Sequence, residues 1–291
     1  MDRNRKIGMG MVLLGASLWG SSSNCMEYLM THQHFTWQAI LFARMVLTGL
    51  FFLAFCLYKK EPLLAPLRKD PWLMLKFTVL GMFVMQVPFV KAIYYSNAAT
   101  ATVLQYLMPA ILLVMSLWKA KRGPRRREVV AVGLAILGTA LIATRGEGAV
   151  LAVSPETLFW GILGAFGMAW YTLYAAELLQ RYSCFLIIGW GSLGNALLLE
   201  LLVHPNVQGA LFNFDTLWSF GVLFVLGTLV AYTVYLESTR YIPASETGTL
   251  AAFEPLSAYF FSILFLENHI GVAESIGALC IITMVVLLAR K

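Results

Sequence analysis

An all-α integral membrane protein is what this sequence predicts, with ten transmembrane helices arranged as an inverted 5+5 repeat. Three observations carry the prediction. Apolar runs of membrane length recur ten times. Basic residues gather in alternate links between those runs. Marker residues of the first half recur in order in the second.

Of 291 residues, 59% are hydrophobic and 12% charged, where a soluble domain carries about 25% charged residues. Mean hydropathy is +0.75, so the apolar excess must face lipid. The net charge of +6 does not point to nucleic acid, because the basic residues sit in short links, where they act as topology signals. Cys25, Cys56, Cys184 and Cys280 lie far apart with no CxxC spacing, and His32, His34, His204 and His269 fall in links. Neither set suggests a metal site or a redox pair.

A bilayer crossing needs about 20 apolar residues. The runs are Ile7–Leu29, Trp37–Tyr58, Trp72–Tyr95, Ala98–Trp118, Val129–Thr144, Leu158–Leu179, Phe185–Leu202, Trp218–Tyr241, Ser245–Leu266 and Gly271–Ala289. The first follows Arg3, Arg5 and Lys6 and is too long for a signal peptide's apolar core, so it is expected to remain as a helix. The third and fourth runs, and the eighth and ninth, are joined by almost no link and must form tight hairpins. Seventeen of the 21 basic residues lie on one side of the resulting bundle, and the alternate links carry only Arg145. That asymmetry predicts that both termini are cytoplasmic, in a plasma (inner) membrane.

Aligning Pro109 with Pro255 also aligns Tyr95 with Tyr241 and Ala98 with Ala244. Small shifts of register bring Glu27 onto Glu177, Phe35 onto Phe185 and Gly15-Ala16 onto Gly164-Ala165. A five-helix unit crosses an odd number of times, so its second copy enters from the opposite side. Such inverted repeats are common in secondary transporters. The expected units are residues 1–147 and 157–291.

The same segments resemble a family. "SLWGSS" at Ser17–Ser22, "YYSNAATATVLQYLMP" at Tyr94–Pro109 and "GLAILGTALI" at Gly133–Ile142 lie in the first half. "GAFGMAWYTLY" at Gly164–Tyr174, "AAFEPLSA" at Ala251–Ala258 and "GALCIITMV" at Gly277–Val285 lie in the second. Over nearly its whole length the chain resembles an EamA-type member of the drug/metabolite transporter superfamily. The resemblance implies ten helices in two EamA-like halves, a central cavity, and export of a small metabolite such as an amino acid or related amphipathic compound. Efflux of a drug or toxic cation, or metabolite uptake, fits the same fold. The chain departs from the pattern in one place: many members carry an acidic residue twelve positions after the helix-4 proline, as Glu267 follows Pro255, but Lys121 stands in the first half.

Charges inside membrane helices are costly and face a cavity or a partner. Glu254 lies near the midplane of the ninth run, where it could bind substrate or load and release a proton. Arg44 lies in the second run, and Lys91 lies in the outer part of the third; the repeat maps Lys91 onto Glu237. Snorkelling to an interface is the competing reading for Lys91 and Glu237, and it is the expected one for Lys76. A structural ion pair competes for Arg44, and Glu27, Glu177 and Glu200 read as helix-end residues.

Trp19, Ser21, Asn24, Gln86, Gln105, Tyr106, Trp170, Tyr171, Trp190, Asn195, Tyr232 and Tyr235 are the polar and aromatic candidates for a cavity wall. Interhelical packing is the alternative for each. Pro88, Pro109 and Pro255 free carbonyls that can line a cavity or hinge a helix; a fixed kink is the other reading. HExxH, GxSxG and GxxxxGK[ST] are absent, so neither a membrane enzyme nor ATP coupling within this chain is expected, and no cofactor or metal is called for. The implied partners are the bilayer, a small-molecule substrate and, as one mode of coupling, protons. A scaffold or channel without a transport cycle remains the alternative to a transporter.

Overall fold

Capping residues set the helix starts. Thr36, Asn97, Ser154, Ser183 and Asn213 each accept a hydrogen bond from the backbone N–H three residues on, which satisfies a donor that the first turn would leave free. The computed structural model describes residues 3–121, 123–144, 153–207, 209–238, 241–242, 250–251, 253–267 and 271–289. All the regular structure among them is helical.

The helices are α1 (Arg3–Thr31), α2 (Trp37–Tyr58), α3 (Ala65–Lys69), α4 (Pro71–Lys76), α5 (Val84–Tyr95), α6 (Ala98–Gln105), α7 (Met108–Ala120), α8 (Arg126–Thr144), α9 (Pro155–Leu178), α10 (Cys184–Leu202), α11 (Phe214–Gly221), α12 (Ala231–Ser238), α13 (Phe253–Leu266) and α14 (Val272–Ala289). Two π-helical stretches join pairs of them into continuous rods. The first, π1 (Phe77–Phe83), links α4 to α5, and the second, π2 (Val222–Val230), links α11 to α12.

Seven helical spans among the described residues are long and apolar enough to cross a bilayer: Trp37–Tyr58, Pro71–Tyr95, Ala98–Lys119, Arg126–Thr144, Pro155–Leu178, Cys184–Leu202 and Phe214–Tyr235. Phe253–Leu266 and Val272–Leu287 are shorter apolar helices. α1 has the length, but its middle reads SLWGSSSN, which dilutes its hydropathy. Leu50, Ile136, Ile263 and Phe265 stay exposed on the outside of the bundle, as lipid-facing residues do. Tyr58, Trp72, Trp118 and Trp218 are exposed at helix ends, where aromatic residues meet the headgroups. The protein is an integral membrane protein.

Helices pack where side chains vanish. A Cβ placed on Gly138 of α8 would lie 2.7 Å from the carbonyl oxygen of Gly277 in α14, and a Cβ on Gly277 would lie 2.7 Å from that of Gly138. α2 packs on α10, where Gly49 faces Leu193 and Gly189 faces Leu53. Without a hydrophobic drive between helices in lipid, such close backbone approach supplies the association.

The links are tied crosswise. Tyr182, between α9 and α10, donates to Asp70 at 2.6 Å, beside the Arg181–Asp70 pair, and Ser183 donates to Glu61 at 2.5 Å. The bond to Asp70 holds the Tyr182 phenol above its usual pKa. At another link, Leu211 N–H donates to the Gln33 carbonyl at 2.9 Å, and Asn213 Nδ2 to Gln33 Oε1 at 2.9 Å.

The fourth predicted run is not one helix. It breaks at Tyr106–Leu107 between α6 and α7, because Pro109 has no N–H to give the Gln105 carbonyl. The eighth span starts earlier than its predicted Trp218, at Phe214. The sequence also gave no warning of the π-helical stretches. Ser245–Thr249 of the ninth run, Ala244, Arg122, Arg145, Arg240, His269, Arg290 and Lys291 lie outside the described residues.

Candidate functional site

Two proline-associated irregularities meet in the middle of the bundle. Pro255 sits in the first turn of α13 and cannot donate to the carbonyl four residues back, that of Ala251. The Tyr106 hydroxyl takes over, donating to Ala251 O at 2.6 Å. Tyr106 is the C-cap of α6, three residues before Pro109, at the break in the first half. The same hydroxyl lies 3.0 Å from Glu254 Oε2. One phenol therefore serves a freed carbonyl and the Glu254 carboxylate.

Arg44 comes from α2 and is only 7% exposed. Its Nε donates to Thr228 Oγ1 at 3.3 Å, and Thr228 donates to the Leu223 carbonyl five residues back in π2. The π-turn thus presents the hydroxyl that seats the guanidinium. Arg44 and Glu254 sense each other's charge without forming an ion pair within 4 Å, and Tyr232 lies near both. Trp19 of α1 packs its ring 5.3 Å from Tyr232 and 4.9 Å from Tyr235. Tyr171 of α9 packs 5.2 Å from Phe77 of π1, the two rings tilted, and lies near Tyr232 and Tyr235. The cluster joins a cation, a carboxylate, several phenols and an indole from both halves.

α1 is clamped beside this cluster. Asn24 Nδ2 donates to Ala258 O at 3.0 Å, and Ser257 Oγ to Ala16 O at 3.2 Å. A Cβ on Gly20 would lie 2.7 Å from the backbone nitrogen of Ala258 and 3.0 Å from the Glu254 carbonyl oxygen. Gly20→Ala is therefore expected to cost about 1–3 kcal/mol of stability by overpacking. Gly10→Ala, with nothing within 4 Å, should be neutral. Thermal melts of the two purified variants check the contrast. Tyr106→Phe keeps the ring but deprives Ala251 and Glu254 of a donor, and is expected to lower stability by about 1–3 kcal/mol in the same assay.

Of the sequence candidates, Glu254, Arg44, Tyr106, Trp19, Tyr171 and Tyr235 come together here. Trp170 has its ring contact with Phe166, 6.2 Å away. Gln86 is buried in α5, and Gln105 ends α6. Lys91 stands in a separate pocket with Pro88. Glu27 is buried, and its Oε2 accepts the Ala98 N–H at 2.7 Å, capping α6 from α1. Thr228 and the Ala251 carbonyl escaped the sequence reading. The carbonyl had a signal, since it lies four residues before Pro255; Thr228 had none.

The sequence profile of the EamA-like transporter family matches residues 6–144 and again 156–290. The chain is 33% identical over 296 residues to an uncharacterized inner membrane transporter, YicL, of Salmonella typhimurium, covering 99% of this chain and 97% of that one. It is 23% identical to an uncharacterized transporter, YetK, of Bacillus subtilis, over 80% of this chain and 72% of that one. A solved crystal structure superposes with a TM-score of 0.61 over 99% of both chains at 16% identity, a likeness of fold alone.

Proposed function

The chain belongs to the EamA-like transporter family, and from that premise we propose that it is a secondary active transporter of the inner membrane. It exports a small amphipathic metabolite, such as an amino acid, by alternating access. The observation that carries this reading is the Arg44–Glu254 pair, enclosed by Trp19, Tyr106, Tyr171, Tyr232 and Tyr235. A cation and an anion in one cluster, separated by more than an ion pair's reach, complement a zwitterion, and aromatic walls complement its apolar body. Arg44 beside the carboxylate disfavours a permanently cationic drug as the preferred substrate. Glu254 loads and releases the coupling proton.

Several features support an inverted five-plus-five repeat, with units at 1–147 and 157–291. π1 and π2 lie in the third membrane span of each unit. The second spans, α2 and α10, pack on each other, as do the fifth, α8 and α14; a two-fold relation demands such self-pairing. The link after the first helix of each unit is tied to the start of the third span of the other, through Tyr182–Asp70 and Gln33–Asn213. In the alternating-access cycle these two ties open in turn. The basic links support cytoplasmic termini.

The test is an untargeted comparison of exported solutes between cells lacking and overproducing the protein, followed by counterflow in proteoliposomes. A solute enriched outside the overproducing cells and exchanged saturably is the expected result. Neither enrichment nor saturable exchange would leave a scaffold or channel as the better reading.

A further inference from the structure

A pocket lies apart from the Arg44–Glu254 cluster and shares none of its side chains. Its volume is about 490 Å³, and its lining includes Trp37 at the start of α2, Pro88 and Lys91 of α5, Trp160 of α9 and Leu202 at the end of α10. On the orientation proposed above this is the outer end of the bundle.

Lys91 is the single charged residue among the ten that line the pocket. Its Nζ sits 4.0 Å from the Trp160 ring centroid and 5.2 Å from that of Trp37. It forms no ion pair among the described residues. An ammonium held between two indole faces keeps its position, but aromatic quadrupoles leave its formal charge uncompensated. The rest of the wall is apolar or aromatic.

We infer that this pocket is a binding site for a small soluble organic carboxylate with an apolar body. The carboxylate pairs with Lys91 Nζ, and the body lies along Phe83, Val87 and Leu163. A multiply charged anion such as phosphate would face one cation across apolar walls and lose its hydration without replacement. A neutral apolar molecule would leave Lys91 unpaired, and an amine would be repelled. The cavity exceeds the bulk of a six-carbon acid, so hexanoate is a fair probe. The site lies where solute leaves or enters the outer face, so it rests on the proposed orientation for its side but not for its chemistry.

The test uses the full-length protein in phosphatidylcholine nanodiscs, with indole fluorescence read against hexanoate, hexanamide and hexylamine. Hexanoate alone should give a saturating change. Lys91→Met should weaken it by roughly tenfold or more, the value of a charge-assisted bond, whereas Lys91→Arg should bind within about threefold of wild type because it keeps the charge. Trp160→Phe should diminish the signal. Glu254→Gln should titrate as wild type, so loss of flux at the central site and failure of this pocket are read separately. Equal curves for hexanoate and hexanamide on the wild type would overturn the inference and leave Lys91 as a structural cation. So would an unchanged Lys91→Met titration. Loss of hexanoate binding in phosphatidylglycerol nanodiscs would identify a lipid headgroup as the occupant and overturn it equally.

Discussion

Glu254→Gln is expected to abolish flux driven by a pH gradient while the protein still inserts and can be purified. The amide has almost the shape of the carboxyl, and its oxygen still accepts from Tyr106, so the hydroxyl bridge to Ala251 at 2.6 Å survives. What disappears is the capacity to ionise. Two assays divide the roles of the residue. If Glu254 only carries the proton, counterflow, which needs no net proton movement, stays within about threefold of wild type. If it also binds the substrate's cationic group, counterflow affinity falls roughly tenfold to hundredfold, because a hydrogen bond to a charged group contributes about 1.5–3 kcal/mol. Undiminished, still pH-dependent flux would refute both roles.

The membrane helices were legible in the sequence because lipid leaves few alternatives: a span must satisfy its backbone internally and show apolar side chains outward. The starts of α2, α8, α10 and α14 accordingly fall within a few residues of the predicted runs. Glu254 stands out for the same reason, as a carboxylate nine residues into an apolar run. Its partners were less so. Arg44 and Tyr106 stood out as a charge and as a polar group near a proline, but nothing in the chain said that they converge. The π-stretches had no signal, because an i→i+5 turn is settled by how neighbouring helices pack. That is why Thr228, whose hydroxyl seats Arg44 at 3.3 Å, was missed. In the sequence Glu27 shows only as a helix-end carboxylate; its bond to Ala98, 71 residues away, depends on the approach of two helices.

A double-mutant cycle on Arg44 and Glu254 separates what the pair does for folding from what it does for transport. The two single changes are not equivalent. Arg44→Met leaves a carboxylate that can take up a proton and shed its charge, with Tyr106 still donating to it. Glu254→Gln leaves a guanidinium that cannot deprotonate, with Thr228 its one hydrogen-bond partner among the described residues. An orphaned buried charge costs about 3–5 kcal/mol. The order of apparent melting temperatures is therefore expected to be Arg44→Met above Glu254→Gln. The double variant should recover most of the loss of Glu254→Gln, since it has no buried charge left to orphan. The resulting coupling should be about 0.5–3 kcal/mol, the range for neighbouring groups that interact. Strictly additive melts would mean that the two groups do not interact, and would remove the zwitterion-complementing pair from the substrate reading. Recovery of stability without recovery of pH-linked flux is the outcome that assigns the two groups to transport, because merely structural charges, once replaced by neutral groups that restore the fold, would restore activity with it.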